Sequence, residues 1–144
     1  MARPYGFSDN LGYLLSRCAA QMAARFEQEL APHHISLAQW GALLAINEKG
    51  EASPSDVADR VGIDRGATTR LLARMEAKGL VMRRSHDADG RSVLLTLSPK
   101  TAAKMPDLLA LSKRVNRDAL ETLPKAEADA LLTALSTLLD TLKK

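Results

Sequence analysis

Apolar residues recur at three- and four-residue intervals from position 11 onward, at Leu11, Leu14, Leu15, Cys18, Met22, Phe26 and Leu30. This is the period of a helix with one apolar face. Asp9 and Asn10 stand before it as N-caps, residues 1–8 read as a short irregular arm, and the pattern ends near Pro32. Ser36 with Gln39 three residues later forms a capping-box signature for a second helix, which carries Leu37, Trp40, Leu43, Leu44 and Ile46 and stops at Lys49-Gly50. Ser53-Pro54-Ser55-Asp56 supplies a cap, a proline at the first helical position and an acid at the third; a short helix with Val57, Ala58 and Val61 follows and ends at Gly62. Asp64 caps a fourth helix that runs from Arg65 to Lys78 and stops at Gly79.

After Leu80 the period changes. Val81–Ser85 and Ser92–Leu97, separated by the polar tip Asp87-Ala88-Asp89-Gly90, predict a two-stranded hairpin. Ser98-Pro99 opens another helix and Pro124 opens or bends the last. There Leu131, Leu135, Leu138 and Leu142, with Leu132 and Leu139 beside them, make a stripe wider than one neighbour usually needs. A hairpin lodged in an otherwise helical chain demands a reason.

Residues 53–79 supply one. Two short helices joined by Gly62-Ile63-Asp64, with the small residues Ala58 and Gly62 four apart where helices must cross closely, have the spacing of a helix-turn-helix. Laid out at 100° per residue, the second helix puts Ala67, Thr68, Leu71, Leu72 and Met75 on one arc, the expected core face. Gly66, Thr69, Ala73 and Ala77 fall opposite, with Arg70 and Arg74 on one flank and Arg65 on the other. A small or hydroxylated strip bordered by arginines suits a helix pressed against base edges. An ordinary solvated helix face would mix signs of charge.

The charge distribution sharpens this reading. The formal net charge is +3, yet residues 65–84 hold six bases (Arg65, Arg70, Arg74, Lys78, Arg83, Arg84) against the single acid Glu76. The remainder holds fourteen bases and sixteen acids. Positive charge gathered on one helix and the strand after it is the footprint of phosphate attraction. Candidate DNA-contacting residues are therefore Arg65, Thr68, Thr69, Arg70, Arg74, Arg83 and, at the hairpin tip, Arg91, which can reach a minor groove. Asp89 and Asp87 are expected to stabilise the hairpin tip, Asp89 through a salt bridge to Arg74 or Arg91.

At 144 residues with 46% apolar and 26% charged residues, the chain reads as one ordinary globular domain, packed mainly by Leu, Ala and Val because aromatics are 3%. The lone Cys18 excludes an internal disulfide and a Cys-rich zinc site. It falls on the apolar helix face, where a buried thiol without an activating base is inert. The adjacent His33 and His34 lack further ligands for a tetrahedral metal set, and His86 before the hairpin tip touches phosphate or nothing. No metal or cofactor is expected. The segment around Leu14 and Leu15 is too short to span a bilayer and is interrupted by Arg17, and no charged-then-apolar leader precedes it; the expected location is cytoplasmic, without membrane contact. No Ser-His-Asp spacing, glycine-rich phosphate loop or paired carboxylates can be picked out, which argues against an enzyme.

These motifs together resemble the multiple antibiotic resistance regulator (MarR) family. Residues 63–75 look like its recognition helix and residues 76–84 like the exit from that helix. Asp89-Gly90-Arg91 followed by Leu97-Ser98 is similar to its wing signature, with Ser98 for the usual Thr. Leu30-Ala31-Pro32 and Ile35–Trp40 resemble its first two helices, so the likeness spans residues 9–142. The resemblance implies a mainly α fold with a small β-wing: a single chain 1–144 with a winged helix-turn-helix over 36–98, flanked by dimerisation helices at 9–32 and 99–144. It implies a homodimer on pseudo-palindromic double-stranded DNA and repression relieved by a small, often aromatic and anionic, ligand. Thr69, Arg70, Arg74 and Arg91 match family positions tied to DNA contact or wing integrity. Family effectors occupy the crevice between the dimerising helices and the winged region, which makes Arg17, Met22 and Trp40 the effector candidates; otherwise Trp40 is core and Arg17 a surface or interhelical charge. The alternatives are a winged-helix module that binds protein, or an activator of the same fold.

Overall fold

The computed structural model describes residues 1–85 and 92–143. The element order is α1 (Leu11–Leu30), α2 (Leu37–Lys49), α3 (Pro54–Val61), α4 (Arg65–Ala77), β1 (Val81–Ser85), β2 (Val93–Leu97), α5 (Pro99–Leu120) and α6 (Lys125–Leu142). Mainly helical architecture with one small sheet follows the periodicity of the sequence.

Local chemistry sets the boundaries. Ser36 and Gln39 exchange hydrogen bonds at the start of α2, Gln39 N–H to Ser36 Oγ at 3.1 Å and Ser36 N–H to Gln39 Oε1 at 3.0 Å. Ser53 and Asp56 repeat the device at α3, at 3.1 and 2.9 Å. The arm before α1, expected to be irregular, contains a 3-10 turn over Phe7–Asp9. Asp9 accepts the Gly6 N–H and pairs with Arg3, which leaves Asn10 to cap α1 by accepting Tyr13 N–H at 2.8 Å. The rings of Phe7 and Tyr13 meet with centroids 4.8 Å apart, fixing the turn against the helix.

The chain divides into two compact units, Met1–Leu108 and Leu109–Lys144. In the first, Leu30, Leu43, Ile46, Val57, Leu72, Met75, Leu95 and Leu108 are fully buried. Truncating any one of these leucines to alanine would cost about 2–5 kcal/mol. The strands pair antiparallel with Val81 opposite Leu97 and Arg83 opposite Leu95. Ala52 extends the sheet by one bridge, exchanging backbone bonds with Leu95 at 2.8 and 3.0 Å. The hairpin is thereby tied to the α2–α3 connection. Ser98 closes the sheet's exit by accepting Thr101 N–H, capping α5.

In the second unit Leu111 and Val115 are buried, whereas α6 has no buried residue and exposes Leu131, Leu132, Leu139 and Leu142. The apolar face of α1 is likewise open along its first half, with Leu11, Tyr13 and Leu14 exposed. Cys18 is exposed with it, contrary to the buried thiol expected from its place on that face. Helical periodicity names an apolar face; it does not say whether anything in the same chain covers it. Among the described residues no helix is long and apolar enough to cross a membrane, and no three His, Cys, Asp or Glu residues are grouped to hold a metal.

Candidate nucleic-acid interface

The turn between α3 and α4 is built by two residues with separate jobs. Gly62 takes a left-handed conformation (φ 80°) and donates its N–H to Ala58 O at 2.8 Å, ending α3. Asp64 then accepts Ala67 N–H at 2.8 Å and starts α4. Space around a Cβ on Gly62 is open, so glycine is needed there for backbone conformation and not for close helix crossing. Gly41 on α2 faces Val61, both of whose methyls lie 3.6 Å from where its Cβ would stand, an ordinary packing distance. Spacing within the α3–α4 turn could not reveal a contact made from α2.

The face of α4 divides as its periodicity predicts. Thr68, Leu72 and Met75 are buried, Ala67 and Leu71 half-buried, and Gly66, Thr69, Ala73 and Ala77 exposed with Arg65, Arg70 and Arg74. Thr68 must therefore be removed from the DNA-contact set. It is fully buried, and its hydroxyl donates to Asp64 O at 2.8 Å, so it packs the helix and cannot reach a groove. Thr69 donates to Arg65 O at 2.9 Å yet stays exposed, leaving its oxygen able to accept from outside. Arg70 folds back toward the helix start: its Nη1 lies 3.5 Å from the point a Cβ on Gly66 would occupy.

The basic residues fall into two groups. Arg83 Nε donates to Glu76 Oε2 at 2.8 Å, and Arg84 Nη2 meets Glu51 at 2.6 Å. The two strand arginines thus anchor β1 to α4 and to the α2–α3 connection. Arg83, expected at the DNA, has its guanidinium engaged by Glu76. Arg65, Arg70 and Arg74 make no ion pair among the described residues. These three cations border a strip in which no side chain is larger than threonine. Such a surface offers donors to phosphates or base edges and lets a backbone approach closely.

Asp87, Asp89 and Arg91, assigned to the hairpin tip, lie outside the described residues, as does His86. Arg17 is exposed on α1 and Met22 half-buried. Trp40 is only 4% exposed, which places it in the core and leaves little surface for an effector. The partners Glu51 and Glu76 were not legible as such, because each meets an arginine from a different element.

Comparison with known proteins points one way. The MarR family profile matches residues 33–92. The organic hydroperoxide resistance transcriptional regulator of Bacillus subtilis is 30% identical over 141 residues, covering 93% of this chain and 90% of that protein. Among solved structures, BpsR of Bordetella bronchiseptica, described by the regulation of its DNA binding by 6-hydroxynicotinic acid, superposes with a TM-score of 0.85 at 28% identity, over 96% of this chain and 99% of the other. A mutant MarR of E. coli complexed with operator DNA gives 0.81 at 27% identity, over 90% and 93%.

Proposed function

This chain belongs to the MarR family of transcriptional regulators, and from that premise we propose that it acts as a homodimeric repressor that lays one α4 per protomer into successive major grooves of a pseudo-palindromic operator. The observation that carries the reading is the exposed strip of α4, bordered by three arginines that make no ion pair among the described residues. A helix in the major groove has a phosphate strand on either side. Arg70 and Arg74 flank one side of the strip and Arg65 the other, which matches that geometry. Thr69 is the uncharged base-edge candidate, and Arg91 joins the set on sequence grounds, with Asp87 and Asp89 supporting the hairpin tip. The open leucine faces of α6 and the open face of α1 supply the apolar surface that a dimer needs.

Relief of repression by a small aromatic anion is part of the proposal, supported by the ligand-regulated DNA binding of BpsR. Arg17 and Met22 on α1 are the remaining candidates for contacting it.

Selection of bound duplexes from a random library, by the full chain at physiological salt, tests the function. The expected product is a two-fold-related site with half-site centres about ten base pairs apart. Arg70→Glu should abolish enrichment while leaving the dimer intact. Unselective binding that vanishes with modest salt would favour a protein-binding winged helix instead.

A further inference from the structure

A second basic cluster lies at the far end of α4 from the Arg65–Arg70 turn. A cleft of about 150 Å³ opens between the turn His33–Ile35, the exit of α4 at Lys78 and Leu80, and the first turns of α5. Its floor is Ile35, Leu80, Thr101 and Leu108, all buried. Its rim carries Lys78, Lys100 and Lys104 beside the two histidines, and among the described residues no carboxylate lines it. Lys78 Nζ donates to the His34 carbonyl at 2.9 Å. Lys100 Nζ comes within 4.0 Å of the point a Cβ on Gly79 would occupy, so it leans over the same helix exit. Among the described residues none of the three lysines makes an ion pair.

Like charges gathered on an apolar concavity repel one another and focus a positive potential that an anion would relieve. A lone carboxylate would balance one charge of three and leave the others facing each other. A terminal phosphoryl group carries close to two negative charges and three acceptor oxygens, one for each ammonium. Lysine, a compact point charge, suits that ligand, whereas a planar carboxylate is better matched by an arginine fork, and no arginine lines the cleft among the described residues. The start of α5, 22 residues long, adds its partial positive charge at Lys100 and Thr101. A backbone phosphodiester of DNA carries a single charge, and a duplex is too broad to enter a concavity of this size.

We propose that this cleft binds the terminal phosphoryl group of a small phosphorylated ligand, with Lys78, Lys100 and Lys104 meeting its oxygens. The site is separate from the α4 strip and does not depend on operator recognition.

Calorimetric titration of the full chain with inorganic phosphate, against chloride at matched ionic strength, tests it. Wild type and the off-site control Lys113→Gln should bind phosphate saturably, and Lys100→Gln/Lys104→Gln should bind about tenfold more weakly or worse. Chemical-shift mapping of the wild-type chain with phosphate needs no variant: perturbations should centre on residues 33–35, 78–80 and 100–104. Equal binding by the double variant, an effect reproduced by chloride, or shifts centred on residues 65–74 would each overturn the proposal. So would a double variant that loses operator affinity while wild type takes up no phosphate, because the lysines would then be contacts to the DNA backbone.

Discussion

Single residues in this chain are set against competing demands, and Gly66 shows it best. Helix propensity alone favours alanine in α4 by about 0.5–1 kcal/mol. A Cβ there would stand 3.3 Å from Asp64 Oδ1, the oxygen that caps α4, and 3.5 Å from Arg70 Nη1. Gly66→Ala should therefore melt at nearly the same temperature, the helix gain offset by the shifted Asp64 cap, yet bind operator more weakly, because the methyl thickens the strip. A lower melting temperature with unchanged operator affinity would contradict this account. Asp56 makes a different kind of prediction. The Lys49 ammonium at 2.7 Å, and then the Ser53 N–H, hold its carboxyl down from 3.8 to about 2. The folded value lies below the unfolded one, so the stabilisation is complete above pH 3.8 and is lost as pH falls through about 2. The carboxylate is 37% exposed, so solvent screening keeps the effect modest. The melting-temperature gap between wild type and Asp56→Asn should stay level from neutral pH down to roughly 5 and close toward pH 2; a gap that persists through acid would show that the pair contributes nothing ionic. Caps of this kind were readable beforehand because donor and acceptor lie three residues apart. Thr68 was misplaced because residue type suggests a hydrogen bond without saying whether the partner is DNA or the preceding turn.

At the scale of elements, α4 and the hairpin work as a pair. Glu76, the one acid among the bases of residues 65–84, holds Arg83, while Glu51 holds Arg84 from the other side. Together with the Ala52–Leu95 bridge these contacts fix β1 and β2 against α4 and the α2–α3 connection. Glu76→Gln should release Arg83 to phosphate. Non-specific DNA affinity should rise and its log–log salt dependence steepen by about one unit, while discrimination between operator and random duplex falls. An unchanged salt slope would mean that Arg83 never reaches the backbone. Helix limits, the hairpin and the α4 core arc were all legible in periodicity and turn chemistry. The arginine clamps were not, since Arg84 and Glu51 are 33 residues apart and no local pattern joins them.

For the molecule as a whole, the open apolar faces set the expectation. An 18-residue α6 with no buried residue, exposing Leu131, Leu132, Leu139 and Leu142, calls for another surface. Removing residues 124–144 should leave a chain that sediments as a monomer or aggregates and has lost tight operator binding; a tight-binding truncated monomer would refute the dimeric arrangement. Amino-acid order was enough to establish the helices, the hairpin, the arginine-bordered strip and the concentration of charge, because each depends on interactions within a few residues or on composition along one element. Folding assigned what depends on distant partners. It buried Thr68 and Trp40, exposed Cys18, set Gly41 against Val61, paired Arg83 and Arg84 with acids, and brought Lys78 beside Lys100 and Lys104 around one cleft. Burial and electrostatic pairing are properties of neighbours in space, and spacing along the chain constrains those neighbours only over the few residues that one turn of backbone can span.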